Sequence, residues 1–443
     1  MDTELCGLIP DDWRVRSVED VCLRVTSGGT PSRHEPAHFV GGSWPWAKTQ
    51  ELHDTWLDDT EEHITNEAVA CSSAKVLPLN TVLVAMYGAT VGQLGLLRRP
   101  MTCNQACCAL IVDPKEADYR YLFFQLLYAR SELKGLATGA AQQNLSGQLI
   151  RSLRFPFPPI REQRAIAHIL GALDDKIELN RQMNETLEAM ARALFKSWFI
   201  DFDPVHAKAE GHDPGLPADI AALFPDSFED SELGEIPKGW KVGAIESLCK
   251  SITSGGTPAR MNPLFWINGT IPWFKTGELL DGPLIESEEH ITEAALKASS
   301  CKLWPAGTIL FALYASPTVG RLGVLTCPST SNQAAAGLIA KPEFGVPFLR
   351  RTLLEARVRL QTIAVGAAQQ NINQGVLKSH RTVIPCAGVA STYSRLVSSL
   401  DEQQVSLKRQ ADTLFVLRDT LLPKLLSGEL RVKGVDQSME AHV

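Results

Sequence analysis

This sequence repeats itself. Ser27-Gly28-Gly29-Thr30-Pro31 recurs as Ser254-Gly255-Gly256-Thr257-Pro258, and Pro45-Trp46 with Lys48-Thr49 recurs as Pro272-Trp273 with Lys275-Thr276, each pair 227 residues apart. The same offset carries His63-Ile64-Thr65 onto His290-Ile291-Thr292, and Gly139-Ala140-Ala141-Gln142-Gln143-Asn144 onto Gly366-Ala367-Ala368-Gln369-Gln370-Asn371. Asn104-Gln105-Ala106 and Asn332-Gln333-Ala334 stand 228 apart, which marks one residue inserted near Pro317 and removed further on. A period this long is a whole domain, since solenoid repeats are far shorter. Within each copy, Thr81 to Tyr87 and Thr308 to Tyr314 read as buried strands bounded by Pro and Gly, and Tyr119 to Leu133 and Pro347 to Leu360 read as helices. The expected fold class is α+β: two homologous mixed α/β domains, 1–155 and 236–383, related by a pseudo-two-fold axis.

Each domain is followed by a long helical pattern, over 156–203 and 384–430. From Arg161 to Phe199 there is no Pro and one Gly, and apolar residues keep heptad spacing at Ile166, Leu170, Leu173, Ile177, Leu187, Leu194 and Trp198. The second seam falls in the same register at Tyr393, Val397, Leu400, Leu407, Leu414, Leu421 and Leu425, with polar lapses at Asn180 and Asn184 in the first and Gln404 and Arg418 in the second. Such a helix spans roughly 58 Å at about 1.5 Å per residue. Neither stripe is stable exposed to water, and pairing the helices as an antiparallel coiled coil buries both; a parallel pair is within reach of the connecting segment but is the clumsier solution. The segment 204–235 is then a linker and 431–443 a flexible tail. The simpler alternative is that each helix packs only on its own domain.

A formal net charge of −7 does not favour a polyanion, but it hides a distribution in which the second half carries the better electrostatic case. Residues 236–383 carry 15 Lys and Arg against 9 Asp and Glu, whereas residues 1–155 carry 14 against 18. The ten cysteines form no pair of CxxC motifs, and Cys103, Cys107 and Cys108 have no histidine at ligand spacing, so they read as reduced buried thiols rather than a metal site. Without a signal peptide or an apolar run long enough to span a membrane, the expected location is the cytoplasm.

Phe157-Pro158-Pro159-Ile160-Arg161-Glu162-Gln163 leading into Ile166-Ala167-His168-Ile169-Leu170, the run Leu194-Phe195-Lys196-Ser197-Trp198-Phe199 with Asp201-Phe202-Asp203-Pro204, and Leu421-Leu422-Pro423-Lys424-Leu425-Leu426-Ser427-Gly428-Glu429-Leu430 carry a further signal. On these strings and the duplication, the chain resembles the specificity subunit of Type I restriction-modification enzymes over essentially its full length. The resemblance implies two target-recognition domains, each reading one half of a bipartite double-stranded DNA site, and a helical spacer that sets the gap and docks two methyltransferase subunits. Restriction subunits, the motor-nucleases, join that core in a prokaryotic cytoplasm. It also implies that this chain binds no cofactor, S-adenosylmethionine belonging to the methyltransferase subunits and ATP and Mg to the restriction subunits. The second helix departs from the pattern, with Gly388-Val389-Ala390 where the first has Arg161-Glu162-Gln163.

Candidate DNA contacts follow from chemistry. Ser27, Gly28, Gly29 and Thr30, with Ser254, Gly255, Gly256 and Thr257, can turn backbone N–H groups and hydroxyls toward a phosphate, and a plain tight turn explains the same letters. Gln142, Gln143 and Asn144, with Gln369, Gln370 and Asn371, offer amides able to pair with an adenine edge, or a helix cap and loop. Lys48 and Lys275 are phosphate candidates. Tyr87 and Tyr314 read as core. Asp201, Asp203, His63 and His290 lack metal-ligand partners, and each histidine precedes a Thr placed to cap a helix.

Two rival functions are open to a chain of this kind. A methyltransferase or nuclease needs motifs that are missing here: there is no Asn/Asp-Pro-Pro-Tyr/Phe, no GxGxxG opening a helix, and Trp240 stands where a phosphate loop needs lysine. A two-headed adaptor that binds proteins at both ends of a strut is the other.

Overall fold

A computed structural model describes residues 9–137, 144–314, 317–365 and 371–432. Contacts divide the chain into two units, one built from residues up to Leu179 together with those from Ala411 onward, the other from Asn180–Gln410.

The first unit has a five-stranded sheet in the order Cys22–Ser27, Cys107–Val112, Val82–Ala85, Leu94–Leu97 and Thr55–Leu57. Neighbours pair antiparallel except the last two, which run parallel. Val82–Ala85 is buried at all four residues, as its unbroken apolar run requires of a central strand. A three-stranded sheet, His63–Ile64, Trp44–Ala47 and Thr102–Cys103, lies in the same unit. Arg14–Ser17 pairs with Arg154–Phe157.

The second unit repeats this topology strand for strand, from Cys249–Ser254, Ala335–Ala340, Ile309–Ala312, Leu322–Leu325 and Pro283–Leu284. Register is kept as well: Val82 faces Leu110 in one copy and Ile309 faces Leu338 in the other. Even the irregularity at the start of the edge strand recurs, between Cys22 and Arg24 and between Cys249 and Ser251. Asp54 and its twin Asp281 both adopt a left-handed backbone, φ 61 and φ 66. Each receives a two-pronged guanidinium, from Arg130 and Arg357.

The long helices run over Ile160–Phe199 and Ala387–Ser427, and each contributes one segment to each unit. In the first unit the opening turns of one pack on the closing turns of the other. Ile166, Ala167 and Leu170 share a core with Leu422, Leu425 and Leu426, and Arg418 meets Asp174 at 2.9 Å. In the second unit Asn180 donates to the Leu407 carbonyl, Gln404 to the Asn184 carbonyl, and the Tyr393 hydroxyl to the Ala191 carbonyl at 3.0 Å. Position rises along one helix as it falls along the other, so the segments within each unit run antiparallel. Of the polar lapses in the seam, the Asn180, Gln404 and Arg418 side chains thus meet partners, whereas Asn184 takes part through its backbone carbonyl. All fourteen seam positions are buried or half-buried.

The Arg161-Glu162-Gln163 string has a structural use. Gln163 is buried, accepts from Asp118 N–H and donates to the Pro158 carbonyl, while Glu162 receives Arg431 at 2.8 Å. The second helix starts instead on buried Val389 and Ala390, an apolar solution.

The expected linker, 204–235, carries structure of its own: helices Asp203–Ala209 and Ala218–Ala221 and a hairpin of Phe228–Ser231 with Gly234–Pro237. Val205, Ile220 and Phe224 are core residues there, and Phe224 meets Trp198 edge-on at 5.0 Å. Their scatter among Pro, Gly and Asp hides a periodic signal. Arg431, at the start of the expected tail, pairs with Asp12 and Glu162 in the first unit. Among the described residues no helix is long and apolar enough to cross a membrane.

Candidate nucleic-acid interface

The repeated Ser-Gly-Gly-Thr-Pro turns do not form a free anion cradle. Gly28 N–H donates to the Cys107 carbonyl at 3.3 Å and Gly29 N–H to the Cys103 carbonyl at 2.9 Å. In the second copy Gly255 and Gly256 donate to Ala335 and Ser331 at 3.0 and 2.9 Å. Glycine is required by close approach: a Cβ on Gly28 would stand 2.0 Å from the Cys103 oxygen, and one on Gly255 2.2 Å from that of Asn332. The Gly29 and Gly256 carbonyls accept the indole N–H of Trp46 and Trp273, both at 2.9 Å. Thr30 and Thr257 donate their hydroxyls to Gln105 and Gln333. Ser27 and Ser254 end the edge strands beside them.

Lys48 and Lys275 lie in the same clusters, and both are ion-paired. Lys48 Nζ is 2.9 Å from Glu61 and 3.2 Å from Glu62, and Lys275 Nζ is 2.6 Å from Glu288. These carboxylates hold both ammonium groups above their ordinary value, through the Glu61 and Glu288 hydrogen bonds first. A phosphate there competes with a carboxylate already in place.

Gln142, Gln143, Gln369 and Gln370 lie outside the described residues. Asn144 is exposed and forms an isolated antiparallel bridge with Tyr87, and Asn371 is half-buried. Neither is a helix cap. The caps are Ser146 and Asn373, two residues on, whose side chains accept from Leu149 N–H and Val376 N–H. Tyr87 is 41% exposed, unlike Tyr314, which packs partly into the core. Thr65 and Thr292 cap the short helices after His63 and His290 as the spacing predicts. Among the described residues no group of three or more His, Cys, Asp or Glu converges as a metal site.

One arrangement escaped the sequence reading. Arg33 lies over Phe39 and Trp46, at 4.7 and 5.2 Å, and is salt-bridged to Glu62; Arg260 lies over Trp266 and Trp273, at 4.0 and 4.6 Å, and is paired with Glu289. The available signal was the recurrence of Arg, aromatic and Glu at the 227-residue offset.

Similarity to known proteins follows the same duplication. The family model for the Type I restriction modification DNA specificity domain matches twice, at residues 10–189 and 237–410. A Type I restriction enzyme specificity subunit of Methanocaldococcus jannaschii, MjaIX, is 29% identical over 438 residues, covering 96% of this chain and 95% of its own. The HindI specificity subunit of Haemophilus influenzae is 30% identical over 326 residues, 63% of this chain and 70% of its own. In fold, the chain is similar to the crystal structure of a Type I restriction-modification S subunit from M. genitalium, with a TM-score of 0.61 at 17% identity over 95% of this chain and 98% of that one. With both copies matched 227 residues apart and relatives aligned nearly end to end, this chain belongs to the family of Type I restriction-modification DNA specificity subunits.

Proposed function

We propose that the chain reads a bipartite duplex DNA target, its two repeated domains each contacting one half-site, while the two long helices pair antiparallel as a spacer that fixes the gap. It is the non-catalytic, recognising member of its complex. The spacer docks two methyltransferase subunits, restriction subunits join them, and the assembly works in a prokaryotic cytoplasm. Among the candidate contacts, the exposed Asn144 and the clusters around Lys48 and Lys275 face the half-sites.

The observation that carries this reading is the pairing of polar seam residues, Arg418 with Asp174 and Gln404 with the Asn184 carbonyl, in helices that each serve both units. Polar partners inside an apolar seam fix register at some cost in stability, which is what a ruler needs and a mere packing helix does not.

The test uses the chain assembled with its methyltransferase subunits. Inserting two heptads after residue 179 and two after residue 410 lengthens the spacer by about 21 Å at 1.5 Å per residue. Sequencing of methylated bases should then show a gap wider by about six base pairs at roughly 3.4 Å each, with both half-sites unchanged. An unchanged gap refutes the ruler. Exchanging residues 236–383 for those of another family member should alter one half-site and leave the other.

A further inference from the structure

In each copy, a loop leaves the Gly-Gly turn, and the two loops share one frame but display different side chains. The frame runs over residues 31–42 and 258–269. Arg33 and Arg260 are clamped between aromatic faces and a glutamate, as described above. Thr65 N–H donates to the His38 carbonyl and Thr292 N–H to the Phe265 carbonyl, both at 3.0 Å. The Thr65 and Thr292 hydroxyls donate to the Ala37 and Leu264 carbonyls, at 3.1 and 2.9 Å. At the far end Gly42 and Gly269 press on the backbone of His63 and His290, where a Cβ would stand 2.6 Å away.

What this frame presents to solvent differs. The first copy displays His34, Ala37 and Val40; the second displays Met261, Leu264 and Ile267 at the matching positions. Met261 is 94%, Leu264 75% and Ile267 63% exposed. Three large apolar side chains held in water by a rigid loop are costly unless something covers them. Two identical methyltransferase subunits docking on pseudo-equivalent domains would need matching surfaces, whereas two different half-sites need different ones. The domain that carries the apolar triplet is also the one with the excess of Lys and Arg.

We infer that the loop 258–269 is the reading surface of the second domain, with Met261, Leu264 and Ile267 making apolar contact with thymine methyl groups in its half-site. The inference rests on the proposed bipartite reading and deepens it. In the major groove only thymine presents a methyl group, so an aliphatic surface there discriminates an A·T pair without any hydrogen bond. The loop at 31–42 occupies the same place in the first domain and, with His34, reads a different pattern.

The experiment uses the chain assembled with its methyltransferase subunits. Methylated-base sequencing defines the wild-type target, and the 236–383 exchange identifies the half-site that the second domain reads. That half-site should contain an A·T pair. Duplexes in which uracil replaces each of its thymines in turn should bind wild type roughly fourfold more weakly at a contacted position, the equivalent of about 0.8 kcal/mol for one buried methyl group. The variant Met261→His, Leu264→Ala, Ile267→Val carries letters that the sister loop bears on the same frame. It should shrink the uracil effect and methylate an altered second half-site, with the first half-site and the gap unchanged. An unaltered second half-site, a half-site of G·C pairs alone, or indifference of wild type to uracil throughout overturns the inference. Loss of methyltransferase co-purification by a folded variant would make the loop a protein surface instead and overturn it too. Should the variant fail to fold, the uracil series on wild type still decides. Absence of bipartite methylation by the wild-type complex would bring down the proposed function itself, an outcome distinct from the others.

Discussion

Removing Glu188 should destabilise the second unit more than removing the whole charged cluster around it. Arg350 and Arg351, with side chains only 6% and 2% exposed, face Glu188 at 3.2 and 2.8 Å and Asp401 at 3.6 and 3.8 Å. Hydrogen bonding is incomplete: Arg350 Nε, Arg351 Nε and Nη2 and Asp401 Oδ1 have no partner. Burial pushes the Asp401 carboxyl up and, aided by the neighbouring Arg351, pushes the Arg350 guanidinium down. Both directions say that charge is held here against its solvation preference. Glu188→Ala then leaves two buried cations against one distant carboxylate. Breaking a buried pair costs about 3–5 kcal/mol, and the low end applies because Glu188 is itself 33% exposed. For a unit of this size, about 3 kcal/mol lowers the melting temperature by roughly 6–12 °C.

Replacing the cluster together, by Glu188→Leu, Arg350→Phe, Arg351→Phe and Asp401→Leu, removes the desolvation cost with the charges. The sister copy already places buried Phe123 and Phe124 at the two arginine positions. The fourfold variant should be neutral or more stable by about 1–4 kcal/mol. Because the Asp401 pKa is raised on folding, the native state favours its protonated form. Its contribution to stability is present below the ordinary carboxylate range and is lost as pH rises through the raised value, so the advantage of the fourfold variant should shrink on acidification. Thermal melts combined with native-state hydrogen exchange over residues 180–410 would measure both variants. A fourfold variant less stable than Glu188→Ala, or Glu188→Ala within about 0.5 kcal/mol of wild type, would refute the reasoning.

Two further outcomes are expected. Gly28→Ala and Gly255→Ala should each cost about 1–3 kcal/mol through overpacking against backbone that cannot retreat; an unchanged melting profile would mean that the facing Asn104 and Asn332 loops yield. Iodoacetamide at neutral pH should label the exposed Cys71 and Cys386 well before Cys22, Cys108 and Cys249, whose thiols burial pushes up to about 12; mass spectrometry of the native chain showing early modification at Cys108 would contradict the burial argument.

The duplication, the two long helices and the seam were legible because each is a pattern within the letters. Ile166, Leu170, Tyr393 and Val397 announce their burial by spacing alone. The candidate contacts were less legible because their fate is set by neighbours far along the chain. Gly28 is glycine on account of Cys103, and Lys48 is neutralised by Glu61 and Glu62, thirteen and fourteen residues away across a turn of sheet. The core residues of 204–235 were hidden because Val205 and Ile220 sit on helices too short to show a period and Phe224 lies in the turns beyond. The Arg33 and Arg260 stacks were written in both copies, but a lone arginine beside aromatics reads as solvated charge until the strand pairing brings Trp46 and Trp273 beneath it.

The first unit is assembled from two stretches of chain that lie either side of residues 180–410, with Gly428 and Arg431 closing against Pro10, Trp13 and Asp12. On a ribosome, which delivers the chain from its amino end, the second unit has all its parts as soon as Gln410 has cleared the exit tunnel. The first must wait, with the surface around Ile166 and Leu170 uncovered, until Leu422, Leu425 and Leu426 arrive. The half of the molecule translated earlier is therefore the half that finishes later.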